Sequence, residues 1–118
     1  MDKSRIYTID PDFGRVVLWD EEGVAYDCID NTIEVEIGND NWIEINIPGL
    51  SQWHYEFEQA TDFASGEVEP DFDWKSWHKR GIELAKQLRE KLPQSCELWY
   101  DAPYEDKSGT IKEKFLIL

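Results

Sequence analysis

The sequence predicts an α+β domain: an antiparallel β-sheet, built from an N-terminal meander and a C-terminal strand pair, with two helices packed on one face. Three observations carry this. Residues 32–38 and 41–47 alternate apolar and polar side chains on either side of the turn signal GNDN. Residues 74–92 place an apolar stripe at helical spacing between an Asp and a Pro. The order along the chain is strands, then helices, then two strands, which is how α+β domains are arranged.

RIYTI (5–9) is rich in β-formers and runs into DPDFG, a turn of Pro, Asp and Gly. RVVLWD (15–20) is a second apolar run, closed by EEG, and VAYDCI (24–29) is a third. In TIEVEIG, Ile33, Val35 and Ile37 point one way and Glu34 and Glu36 the other. In NWIEINI, Ile43, Ile45 and Ile47 oppose Trp42, Glu44 and Asn46. Pairing these two runs puts Glu34, Glu36 and Glu44 on one solvent face. Like charges facing each other across strands are destabilising, so such a face is more readily kept where it has a use.

PGLSQWHYEFEQATDF (48–63) fits two periods. Trp53, Phe57, Ala60 and Ala64 follow helical spacing, while Trp53, Tyr55 and Phe57 follow strand spacing. Ser51, as a cap after Pro48-Gly49, selects a short helix, followed by a loop over 64–71. Asp73 caps the second helix. Its stripe is Trp74, Trp77, His78, Gly81, Ala85, Leu88 and Leu92, with Lys75, Lys79, Glu83, Lys86 and Glu90 opposite. Arg89 and Lys91 suit the negative end of the helix dipole, and Pro93 stops the helix. CELWYD (96–101) and IKEKFLI (111–117) are strands on either side of the loop APYEDKSGT.

At 118 residues the chain is one domain, 1–118, with enough aromatic and branched side chains for a core. Its net charge is −14, and the distribution says more than the total. Residues 1–15 hold three acids and three bases, residues 16–74 sixteen acids and no Lys or Arg, and residues 75–118 seven acids and nine bases. A lobe charged in this way repels nucleic-acid phosphates and anionic lipid and attracts cationic surfaces. Neither nucleic acid nor membrane is expected as a partner. No run approaches the roughly 20 apolar residues that span a bilayer, and MDKSRIYTID lacks the hydrophobic core of a secretory signal, so a cytoplasmic protein is expected. Cys28 and Cys96 fit no metal spacing and are expected reduced, as small core hydrophobes. A monomer and a homodimer both remain open.

No nucleophile elbow, phosphate-binding loop, dinucleotide fingerprint or zinc motif is present. His54 and His78 each sit beside a Trp. His78 falls on the apolar stripe and reads as a packed residue; His54 reads as exposed or half-buried. DPDFG has the Asp-x-Asp spacing of a calcium loop without its remaining ligands, and EVEPDFD offers separated acids without a cage. No metal, cofactor or catalytic residue is therefore assigned, and an enzyme is not expected. What remains is binding. Trp42 lies on the same face as the three glutamates, an apolar anchor among acids, as a surface for a basic partner requires. The candidate partner-binding residues are Glu34, Glu36, Asp40, Trp42 and Glu44 on the strands, with Glu67, Glu69 and Asp71 in the following loop.

PGLSQWHYEFEQATDF, DFDWKSWHKRGIELAKQLREKLP and LWYDAPYED, across residues 48–106, together resemble small acidic bacterial immunity proteins. These are the antitoxins of contact-dependent growth inhibition and other polymorphic toxin systems. The resemblance implies a non-enzymatic cytoplasmic protein that binds the C-terminal domain of a cognate toxin, one with a basic, nuclease-type surface, and blocks its active site or substrate surface. Two alternatives use other classes: an acidic nucleic-acid mimic or adaptor binding a basic host protein, and a small hydrolase using acidic residues.

Overall fold

The computed structural model describes residues 5–118. Its elements are β1 (Ile6–Ile9), β2 (Val16–Asp20), β3 (Ala25–Asp27), β4 (Thr32–Gly38), β5 (Asn41–Asn46), α1 (Leu50–Ala60), α2 (Trp74–Lys91), β6 (Glu97–Tyr100) and β7 (Phe115–Leu116). The α+β class holds. Five strands form one sheet in the order β3-β2-β1-β6-β7, and β4 and β5 form a separate two-stranded sheet. One pairing is not antiparallel: β1 runs parallel to β6, with Tyr7 beside Leu98 and Ile9 beside Tyr100. The chain between them passes through both helices, the kind of long crossover that parallel strands require.

Tyr7, Ile9, Leu98 and Tyr100 are buried, while Ile6 and Glu97 are exposed, so the helices cover one face of the sheet. The indoles of Trp53 on α1 and Trp77 on α2 stack 4.2 Å apart and nearly parallel. Each Nε1–H donates to the other residue's backbone carbonyl at 2.9 Å. Two polar groups that burial would otherwise orphan thus satisfy one another across the helix interface.

Two of the short turns use left-handed backbone at non-glycine residues. Asn39 and Asp40 (φ 53° and 59°) join β4 to β5, as GNDN predicts, and Asp30 and Asn31 (φ 51° and 66°) join β3 to β4. The second turn changes the role expected of Ser51. The N-cap of α1 is Gly49, at φ 93°, with no side-chain cap. Ser51 lies inside the helix: its N–H donates to the Asn31 side chain at 3.0 Å, and its Oγ accepts from the Asn31 N–H at 2.8 Å. The free N–H groups of a helix start need an acceptor, and the turn supplies one. At the second helix Asp73 caps as expected, accepting from the Ser76 N–H at 3.0 Å.

The last strand is shorter than the run 111–117. Trp99 pairs with Leu116 and Tyr100 with Phe115, and an antiparallel partner ends where β6 ends. Residues before Phe115 extend beyond the sheet. There Asp106 organises the loop, accepting from the Ser108 N–H at 2.8 Å.

Candidate functional site

The β4–β5 register sets Glu34 opposite Glu44 and Glu36 opposite Trp42, so all four occupy one face of the hairpin. Trp42 is 58 % exposed and meets the Tyr26 ring edge-on at 6.3 Å. With exposed Val24, Ile29, Asp27 and Glu34, it walls a groove of about 400 Å³. Ile29, 53 % exposed, also borders a second hollow of about 520 Å³ edged by Arg15, Asp30, Tyr55 and Glu58. Through Ile29 the two hollows adjoin, so the exposed apolar residues Val24, Ile29, Trp42 and Tyr55 share this surface with Asp27, Asp30, Glu34 and Glu58 and with one cation, Arg15. Among the described residues neither Glu34 nor Glu44 takes part in an ion pair.

The sequence pointed to Trp42, Glu34 and Glu44 but missed Ile29 and Val24. For Ile29 the signal was present, since Asp27 and Ile29 share the outward phase of their run. The remaining predicted residues part company. Glu36 is not an open surface acid: it is half-buried, 3.7 Å from the Arg5 guanidinium. Asp40 is exposed at the hairpin turn. Glu67, Glu69 and Asp71 are exposed, and Glu69 belongs to a different cleft, one sharing no lining residue with the Trp42 groove.

The absence of Lys and Arg between residues 16 and 74 does not leave that stretch without cations in space. Arg5, itself buried, donates to Asp20 at 2.6 Å and lies 3.7–3.9 Å from Glu21, Glu22 and Glu36. Arg80 reaches back from α2 to Glu56 with two bonds of 2.6 and 2.9 Å. Burial works to raise the Asp20 carboxyl's pKa, but the Val24 N–H, Tyr26 hydroxyl, Glu22 N–H and Arg5 together hold it below the usual carboxylate range.

His54 is 3 % exposed, not open to solvent as expected. It follows Trp53 on the stripe Leu50, Trp53, His54, Phe57 and Ala60, which sits against the core. Its Nε2–H donates to the Asp12 carbonyl at 2.7 Å, and Nδ1 lies 3.3 Å from Glu58. His78 is buried, as its helical position indicated. Nε2 donates to the Asp106 carboxylate at 2.6 Å, and Nδ1 accepts from the Tyr100 hydroxyl at 2.7 Å. Burial opposes ionisation of Asp106, yet the bonds from His78 and Ser108 hold its pKa below the ordinary value. Both ring nitrogens of both histidines thus already face protein atoms. The Cys28 thiol is buried 3.2 Å from the Ser51 hydroxyl, and burial pushes its pKa up, away from thiolate chemistry. Cys28 and Cys96 are both free.

Asp10, at the end of β1, is held differently. Burial, then the nearby Asp101, Asp12 and Glu105, raise its pKa to about 7. A carboxyl raised in this way keeps a proton in the folded state that the unfolded chain has lost. Stability therefore falls as pH rises from the ordinary value near 4 through about 7. Asp10→Asn is expected to stabilise the protein at pH 8 by about 1–3 kcal/mol, after allowance for solvent screening, and to change little near pH 4. Urea unfolding of both chains at the two pH values measures this; an equal gain at both would contradict it.

Among the described residues no three His, Cys, Asp or Glu side chains come together as ligands for a cation, and no helix is long and apolar enough to cross a membrane. Compared with known proteins, the chain matches no family model, no curated protein and no solved structure.

Proposed function

We propose that the protein is a non-catalytic cytoplasmic immunity protein. It binds the C-terminal domain of a cognate toxin, one with a basic, nuclease-type surface, and occludes the toxin's active site or substrate surface. The observation that carries this is the groove at β3–β5, where exposed Trp42, Ile29 and Val24 lie beside Glu34 and its cross-strand neighbour Glu44, neither of which is in an ion pair among the described residues. An aromatic anchor desolvated at the centre of an interface supplies affinity, and surrounding carboxylates supply attraction to a basic groove and speed of encounter. The resemblance across residues 48–106 names the class of partner.

The test is stopped-flow association with the toxin domain encoded directly upstream, followed by tryptophan fluorescence. The association rate constant is expected to fall by about 10–100-fold between about 0.01 M and 0.15 M salt. A rate indifferent to salt would contradict acid-driven recognition. The same gene position separates an immunity protein from a nucleic-acid mimic, whose target is not encoded beside it.

A further inference from the structure

Three loops meet at the far end of β1 and β6: residues 10–15, 61–70 and 101–108. Between them lies a cleft of about 710 Å³. Its walls are aromatic, with Phe13, Phe63, Trp74 and Tyr104, and its carboxylates are Asp12, Asp62, Glu69 and Glu105. Two of the aromatics are left open to water: Phe63 is 78 % exposed and Tyr104 83 %. Exposed rings gathered at one cleft form the kind of apolar patch that marks a binding site. Phe63 is nevertheless held in place, its ring edge-on to Phe13 at 5.1 Å, and Phe13 rests on the core ring of Phe57 at 5.3 Å.

Asp12 accepts from the Phe13 N–H and Asp62 from the Ala64 and Ser65 N–H groups, but among the described residues none of the four carboxylates is in an ion pair. Aromatic faces beside such carboxylates are the surroundings that suit an organic cation. The ring quadrupole attracts the charge, and the carboxylates hydrogen-bond it. The protein already shows this chemistry on itself. Lys107 places its Nζ 3.8 Å from the centre of the Tyr104 ring, at the edge of the same cleft. We propose that this cleft is a receptor for one arginine or lysine side chain presented by a loop of a basic protein partner. Lys107 occupies the Tyr104 face until that side chain displaces it. The cleft shares no lining residue with the Trp42 groove, so the proposal stands apart from the reading given there.

The test uses acetyl-Gly-Arg-Gly-amide as the probe and its norleucine counterpart as the uncharged control. Each is titrated into the full chain and followed by two-dimensional amide NMR. Saturable shifts are expected with the arginine peptide at residues 10–15, 61–70 and 101–108, and none with norleucine. Phe63→Ser, at an exposed position whose fold is checked by the amide signals outside these loops, is expected to weaken binding by about tenfold. Lys107→Gln is expected to strengthen it several-fold, while Lys112→Gln, which removes the same charge outside the cleft, leaves it unchanged. Shifts spread over the acidic surface around Trp42, equal effects of the two lysine variants, or equal binding of norleucine would each overturn the proposal.

Discussion

Replacing Arg5 with alanine is expected to destabilise the protein by about 3–5 kcal/mol, the loss typical when one partner of a buried ion pair is removed. Arg5 comes from the first strand's approach, yet it is the cation at the centre of the acidic half. It donates to Asp20 at 2.6 Å and neighbours Glu21, Glu22 and Glu36. Without it the Asp20 side chain, 1 % exposed, is a buried charge, and Glu36 on β4 loses its opposite charge. The Tyr26 hydroxyl, at 2.9 Å, and the N–H groups of Glu22 and Val24 still bond Asp20, which places the loss toward the lower end of the range. The dependence on pH has a definite sign. Because the folded Asp20 pKa is depressed, its contribution is present above its ordinary value near 4 and disappears as pH falls through the folded value. The difference between wild type and Arg5→Ala in urea unfolding should therefore be largest near neutral pH and shrink in acid. A difference under 1 kcal/mol at pH 7 would mean that solvent already compensates these carboxylates.

Replacing Gly81 with alanine is expected to cost about 2–4 kcal/mol, although alanine improves helix propensity by about 1 kcal/mol. A Cβ at this position on α2 would lie 2.5 Å from Trp53 Cζ2 and 2.7 Å from the Tyr100 hydroxyl oxygen. Neither neighbour is free to move. The Trp53 indole is stacked on Trp77 and bonded to its carbonyl, and the Tyr100 hydroxyl is bonded to His78. Glycine here permits the close approach of two helices and a strand, not a special backbone angle. The unfolding midpoint and the near-ultraviolet circular dichroism of the paired indoles should both change. A neutral or stabilising result would show that the Trp53–Trp77 stack yields easily.

The alternating runs at 32–38 and 41–47 and the capped stripe from Asp73 were legible because each is a local pattern whose period matches its structure. For the same reason the sequence alone places Glu34, Glu44 and Trp42 on one face. Pairings between distant segments were not legible. Nothing local to RIYTI says that it lies parallel to ELWY, or that Arg5 will reach across to Asp20 and Glu36. The run of 16–74 without Lys or Arg is a property of the chain, while neutralisation is a property of space, and Arg5 and Arg80 bridge the two. His54 was misplaced because the spacing Trp53, Phe57, Ala60 and Ala64 leaves out Leu50 and His54, which complete the buried face of α1, and runs past the helix end at Ala60. The cleft at Phe63 and Tyr104 was hidden more deeply, since, apart from Trp74 at the start of α2, its walls come from three loops that no periodicity marks.

The most direct test of the central claim is protection of growing cells. The proposed toxin domain, sought in the gene immediately upstream, is expressed alone, with this protein, and with its Glu34→Lys and Trp42→Ser variants, both at exposed positions. The account predicts that the domain arrests growth, that the wild-type protein restores it, and that both variants fold but lose most of the protection. A wild-type protein that gives no protection, or variants that protect as well as wild type, would contradict it.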